Sequence, residues 1–311
     1  MKNKERFWTA LPTVILMTFI CCFLWGSAFP CIKTGYRLLR IGAEDTAEQL
    51  LFAGCRFTLA GILVILFTCI EHRRLIYPRR KALPYVGLLA FLQTCGQYFF
   101  FYIGLAHCTG VSSAIIQGAN TFFCILIAAL LFRTEKLTGG KILGCLIGFA
   151  GVVLIQLPST GSGSLQLAAS WNGEGFMLIA CLLGAMASSA IKWAGKKEDT
   201  TMLCGYQFLL GGLVLVLIGL ISGGRLVFGS AACFVLLLYM AFISAVAYTL
   251  WSVLLKYNPV SRISVFGFMN PVIGVLLSAV ILGEANQAFS VRGLLALVFV
   301  SAGIIVVNRQ K

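Results

Sequence analysis

The 311-residue chain is 59% hydrophobic and 11% charged, less than half the charged fraction of an ordinary soluble domain, which is about 25%. Its formal net charge of +14 lies in short segments beside apolar runs, not on one aromatic-rich soluble face, which argues against a nucleic-acid surface. The twelve cysteines are scattered, form no Cys-x-x-Cys pair and share the chain with only two histidines, His72 and His107, so neither a metal site nor a cofactor is expected.

In chain order, the first apolar run follows Lys2, Lys4 and Arg6 and continues through Phe29 to Ile32. It is too long for the apolar core of a signal peptide and reads as an uncleaved first helix. A bilayer core of about 30 Å needs about 20 mostly apolar helical residues. Runs of that kind are expected at 11–32, 50–70, 82–105, 110–132, 140–157, 174–192, 201–221, 231–254, 260–282 and 291–308. They are near-continuous, not alternating, which selects helices over a barrel. Tight links, Thr109-Gly110 and Asn258-Pro259, enter the fourth and ninth runs. Ser159 to Asn172 is rich in Ser and Gly and lacks Lys and Arg. It is the expected external linker, dividing the chain into 1–157, 158–173 and 174–311.

With the N-terminus inside, 18 Lys and Arg fall in inside segments and 5 outside, and Arg56 lies within a run. That bias places both termini in the cytoplasm of a multi-pass cell-membrane protein.

The chain also repeats itself. A shift of 149 sets Val111-Ser112 on Val260-Ser261, Gly118 on Gly267, Glu135 on Glu284 and Gly144 on Gly293. Nearer the start of each half, Ala28, Ile32 and Lys33 match Ala187, Ile191 and Lys192. Five runs per half is an odd number, so the second half must enter the bilayer upside down. The expected fold is an all-α polytopic membrane protein of ten transmembrane helices in two inverted five-helix repeats, an architecture that places a substrate site near the midplane between halves.

Trp25-Gly26-Ser27-Ala28-Phe29 in the first run, Arg56 in the second, Asn270-Pro271 in the ninth, and Leu282-Gly283-Glu284 followed by Gly293 resemble the EamA-type drug/metabolite transporters. The similarity spans about residues 10 to 308 as two EamA repeats. It implies ten helices, cytoplasmic termini, and export or exchange of small metabolites, amino acids or drugs. The first repeat departs from the pattern at Phe132-Arg133-Thr134-Glu135, where Leu-Gly-Glu is usual, and at Thr121-Phe122, opposite Asn270-Pro271.

Arg56 is the one clearly intramembrane charge, and inserting it costs at least about 2.5–3.5 kcal/mol. It either holds an anionic substrate group, orders a polar network, or snorkels to a helix end. All ten acids are peripheral, which favours a facilitator or exchanger over an ion-coupled carrier. Glu135 and Glu284, closing the fourth run of each half, read as helix-end ion pairs, Glu135 with Lys136 or Lys141. Cavity candidates are Trp25, Gln93, Gln97, Tyr98, Gln117 and Asn120 in the first half. In the second they are Ser188, Ser189, Trp193, Tyr248, Trp251 and Asn270. Gln117 and Asn120, three apart, share one helix face. Individually such residues serve as interhelical hydrogen-bond partners or interfacial anchors; as a set they line a cavity. Gly140, Gly144 and Gly148 form a small-residue ridge for helix packing.

The expected partners are a small-molecule substrate and the lipid bilayer, without nucleic acid; a homodimer stays open. The leading reading is a secondary carrier. The alternatives are a membrane enzyme acting on lipid or isoprenoid substrates, which lacks the interfacial cluster of acids or histidines it needs, and a non-transporting membrane partner, for which the inverted repeat has no purpose.

Overall fold

The computed structural model describes residues 2–132, 137–155 and 170–309. Among the described residues every regular element is helical, the form in which an apolar segment satisfies its own backbone groups. A short helix, Lys2–Thr9, precedes α1 (Leu11–Leu39). Then follow α2 (Thr46–His72), α3 (Leu83–His107), α4 (Gly110–Leu130) and α5 (Gly139–Ile155). The second half holds α6 (Trp171–Ala194), α7 (Thr200–Ile221), α8 (Ala231–Tyr257), α9 (residues 260–282) and α10 (Val291–Arg309). Seven of these, α1–α4 and α6–α8, are long and apolar enough to cross a membrane; the apolar stretches Gly139–Gly151, Met269–Leu282 and Val291–Gly303 are shorter.

The ends of the helices follow local chemistry. The α1 helix runs seven residues past its expected stop because Lys33 and Arg37 continue it as a polar-edged stalk. It terminates where Arg40 adopts a left-handed backbone, φ 56°, and the Ile41 N–H donates to the Tyr36 carbonyl at 2.8 Å. Thr109 caps α4 by accepting from the Ser112 N–H, and Asp199 caps α7 by accepting from Thr201 and Met202. From Trp171 the chain is already helical, so α6 starts three residues before 174. The rest of the expected linker, through residue 169, lies outside the described residues, as does Glu135.

Three helices are broken where they approach the molecule's centre. In α3 a π-helical stretch covers Ala90–Gln97; in α4 a break falls at Gly118 between Gly110–Gln117 and Ala119–Leu130. In α9 the pieces Val260–Ser264 and Met269–Leu282 flank a 3-10 turn, Val265–Phe268. Pro271 has no N–H to donate to the Gly267 carbonyl, four residues earlier, which loosens α9 at that point.

Helix packing follows an exchange rule. The largest contacts join α2 to α7 and α5 to α10. Beyond these, α1 packs on α8 and α9 as α6 packs on α3 and α4, and α2 packs on α8 as α7 packs on α3. Adding five to each helix number carries these contacts onto one another, and the contact of α4 with α9 onto itself.

Glycines let the α2–α7 and α5–α10 contacts close. A β-carbon on Gly303 would lie 2.5 Å from the Gly144 carbonyl oxygen and 2.6 Å from the Gly148 nitrogen. Two of the three expected packing glycines, Gly144 and Gly148, therefore face α10; Gly140 is a helical residue of α5. The larger seam, α2 with α7, is built on glycines that carry no ridge pattern in the sequence. Gly54 and Gly61 of α2 lie against the backbone of Gly212 and Gly205 of α7, with would-be β-carbons 2.9 and 2.8 Å from those carbonyls. The spacing is seven residues in both helices, the repeat of one helix face.

Candidate functional site

The broken segments converge on a cavity of about 90 Å³. Its first-half wall comprises Trp25 on α1, Arg56 on α2, Gln93, Gln97 and Tyr98 on α3, and Gln117 and Asn120 on α4. From the second half come Ser188 on α6, Tyr248 and Trp251 on α8, and Asn270 on α9. Ser189 is not among them. It follows Ser188 on the helix, about 100° around the axis, and lines a separate pocket with Phe132, Lys192, Trp193 and Lys196. Trp193, which lines that pocket and not the central cavity, is 43% exposed and packs edge-on against Tyr85.

Arg56 does not snorkel. Only 1% of it is exposed, and its Nε donates to the Met240 carbonyl at 3.1 Å and to Ser244 Oγ at 2.9 Å. Its Nη1 donates to Tyr102 Oη at 3.1 Å. The guanidinium carbon lies 5.0 Å from the Phe57 ring centre and 5.9 Å from that of Tyr98, within cation–π range. Among the described residues no carboxylate comes within ion-pair distance of it, and Nη2 has no hydrogen-bond partner.

Aromatic rings form the second-half side of the wall. Trp25 sits edge-to-face with Tyr248 and Trp251, ring centres 5.0 and 4.9 Å apart. The hydroxyls of Tyr98 and Tyr248 hydrogen-bond to each other. Polar groups line the rest. Asn120 Nδ2 donates to the Cys181 carbonyl at 2.8 Å, and Ser188 Oγ to the Gly184 carbonyl at 3.0 Å. Gln117 Oε1 accepts from the Cys181 thiol at 3.6 Å. Gln93 Oε1 accepts from Gln207 Nε2, whose own Oε1 accepts from Thr94, so part of the α3 amide set joins α3 to α7. Three further buried atoms on the wall lack a protein partner: Trp25 Nε1, Gln97 Oε1 and Asn270 Oδ1. Leaving such a group unpaired in a dry interior costs about 1–3 kcal/mol, so the wall is chemically prepared for a polar occupant.

Thr121, Ser252, Phe101 and Phe29 also line the cavity and escaped the sequence reading. Ser252 was findable, lying four residues after Tyr248 on the same helix face; nothing in an all-apolar run distinguishes Phe29 and Phe101 from lipid-facing phenylalanines.

Glu284 is not in a helix-end ion pair of the expected kind. Its carboxylate accepts from the backbone N–H groups of Gly110 at 3.1 Å and Val111 at 2.8 Å, tying the end of α9 to the start of α4. A carboxylate is well placed at a helix N-terminus. Among the described residues no group of three His, Cys, Asp or Glu side chains could hold a metal.

The EamA-like transporter family model matches residues 12–157 and 171–309, one stretch in each half. A chloroplastic WAT1-related protein of Arabidopsis thaliana is 27% identical over 289 residues, covering 90% of this chain and 66% of that one. A protein of Salmonella typhimurium named a probable amino-acid metabolite efflux pump is 25% identical over 316 residues, covering 94% and 92%. An uncharacterized inner membrane transporter of Escherichia coli is 27% identical over 277 residues, covering 86% and 82%. A crystal structure that is 17% identical aligns with a TM-score of 0.67 over 96% of both chains, a likeness of fold alone. With the family model matched along nearly its whole length, this chain belongs to the EamA-like transporter family.

Proposed function

We propose that this protein is a secondary carrier that moves small metabolites across the cell membrane by alternating access, with ten spans arranged as two inverted repeats, 1–157 and 174–311. The observation that carries the reading is the cavity between the halves, walled by both and set with buried polar atoms that lack protein partners. The exchange rule in the helix contacts supports the two repeats, because a pseudo-two-fold axis in the membrane plane maps each half on the other. The excess of Lys and Arg in inside segments supports cytoplasmic termini. The Asn258 side chain donates to the Trp8 carbonyl at 2.9 Å, which fits an N-terminus and an α8–α9 link on one face. Export is the favoured direction, since one relative carries the name of an efflux pump.

Purified protein in proteoliposomes, assayed by counterflow with a broad metabolite panel, tests the carrier reading. Flux above empty vesicles for at least one solute is expected; equality across the panel sinks it. Single cysteines at Ala43 and Leu75, both exposed, should react from outside and inside respectively, and the reverse pattern overturns the orientation.

A further inference from the structure

The central cavity and two further pockets lie in file along α9. Val260, at its start, lines one pocket with Lys192 and Lys196. Gly267 and Asn270 line the central cavity. Glu284, past its end, lines a third pocket of about 410 Å³ with Lys33, Arg37 and Arg40. At 1.5 Å per residue the outer two are about 35 Å apart, the thickness of a bilayer core and its edges, so they sit at the two ends of one route.

The cations at those ends are repeat mates. The offset of 159 that sets Ala28 on Ala187 and Ile32 on Ile191 also sets Lys33 on Lys192 and Arg37 on Lys196. In each half the basic pair stands one and two turns beyond a cavity residue of the first helix, Lys33 and Arg37 after Phe29 and Lys192 and Lys196 after Ser188. Arg56 occupies the middle. Inverted symmetry thus gives either opening the same cationic threshold, and the centre holds a guanidinium with a free Nη2. Of the acids at the ends, Glu284 is engaged by the Gly110 and Val111 N–H groups, and Glu135 lies outside the described residues.

Resting on the carrier reading, we infer that the cargo bears an anionic group, a carboxylate or a phosphate, on a compact aromatic or apolar body, and that Arg56 Nη2 takes that group. Charge interactions strengthen severalfold on leaving water, so an uncompensated buried guanidinium discriminates in favour of anions. Its planar fork matches carboxylate and phosphate geometry. The rings of Trp25, Tyr248 and Trp251 supply the apolar wall. The basic thresholds raise the local concentration of anions at each opening, an effect that salt screens over about 8 Å at physiological ionic strength.

Matched solutes test this: phenylacetate against phenylacetamide, and phenyl phosphate against phenol. Thermal protection of the purified protein in detergent reads binding, and uptake into proteoliposomes reads transport. An anionic member is expected to protect and to move at least about tenfold better than its neutral partner, with the carboxylate and phosphate arms deciding which anion is preferred. Arg56→Gln should abolish the preference and Arg56→Lys should retain part of it. The double substitution Lys33→Gln, Arg37→Gln should raise the half-saturating concentration about threefold at low salt and flatten its dependence on ionic strength. Neutral and anionic members acting alike, including neither acting, overturns the inference, as does a folded Arg56→Gln protein that keeps the preference. If Arg56→Gln does not fold, an unchanged salt dependence in the threshold variant overturns it instead. The two readings fail separately: anion-selective protection without flux sinks the carrier, whereas equal flux of neutral and anionic members sinks only the charge preference.

Discussion

Tyr98 and Tyr248, one from each half of the chain, meet hydroxyl to hydroxyl, and the guanidinium carbon of Arg56 lies 5.9 Å from the Tyr98 ring centre. They are near-equivalent positions of the two repeats, 150 residues apart. Both rings line the cavity with Arg56, which is 1% exposed.

The Arg56 network has a part that can be removed without touching the charge. Tyr102→Phe deletes the acceptor for Nη1 and leaves two guanidinium nitrogens without partners instead of one. Interhelical polar contacts in membranes are worth about 1 kcal/mol. Thermal unfolding in detergent should drop by a few degrees, and transport should fall more steeply than expression. An unchanged melting curve would show that Tyr102 bears none of the network's load.

The Glu284 carboxylate holds the first turn of α4 across the boundary between halves. Glu284→Gln keeps one carbonyl acceptor but loses the charge that favours a helix N-terminus, an effect of about 1 kcal/mol. Amide hydrogen exchange at Gly110 to Ser113 should accelerate several-fold, with little change in α7. Equal exchange in both proteins would refute the tie.

Cys108, between α3 and α4, offers a pH test outside the spanning helices. Burial, reinforced by the neighbouring Glu174 carboxylate, pushes its thiol up to about 12. Only the thiolate is alkylated, and a raised value means the thiolate is scarce at neutral pH and grows through the alkaline range. In a background retaining Cys108 alone, alkylation should rise about tenfold per pH unit between pH 7 and 10 without levelling. A plateau near pH 9, where an ordinary thiol flattens, contradicts this environment.

The α2–α7 seam should tolerate bulk poorly. A β-carbon on Gly212 would press on the Thr58 backbone, with its hydroxyl 2.7 Å away, and overpacking costs about 1–3 kcal/mol even before backbone strain. Gly212→Leu should lower thermal stability and the monodisperse yield in detergent, while Gly229→Leu, at a position with nothing nearby, should leave both unchanged. Similar behaviour of the two variants would dismiss the seam.

Several features were legible from residues alone. The α4 start at Thr109-Gly110 follows from a capping hydroxyl before an apolar run, and the α9 entry from Asn258-Pro259. Cavity residues such as Gln117 and Asn120 were legible because an amide in hydrocarbon needs partners. Ser189 was misplaced because adjacent serines look alike in sequence, though only one can share the face of Ser188. The Glu284 tie was invisible for another reason: its partners are backbone N–H groups 174 and 173 residues away, and a backbone donor has no letter in the sequence.

By itself the sequence determined the apolar runs, the two similar stretches that the family model matches, and the uneven placing of basic residues between the runs. Each of these is a property of composition along the chain, enforced by a solvent that cannot hydrogen-bond the backbone. Only the tertiary structure decided which face of each helix meets which neighbour. In lipid both faces of a helix are apolar, so hydropathy no longer points to the core; close approach of glycines and the pairing of rare polar groups choose the contacts instead. That is why Gly54 and Gly61 against Gly212 and Gly205, and the guanidinium of Arg56 beside the Tyr98 ring, had to be seen in three dimensions.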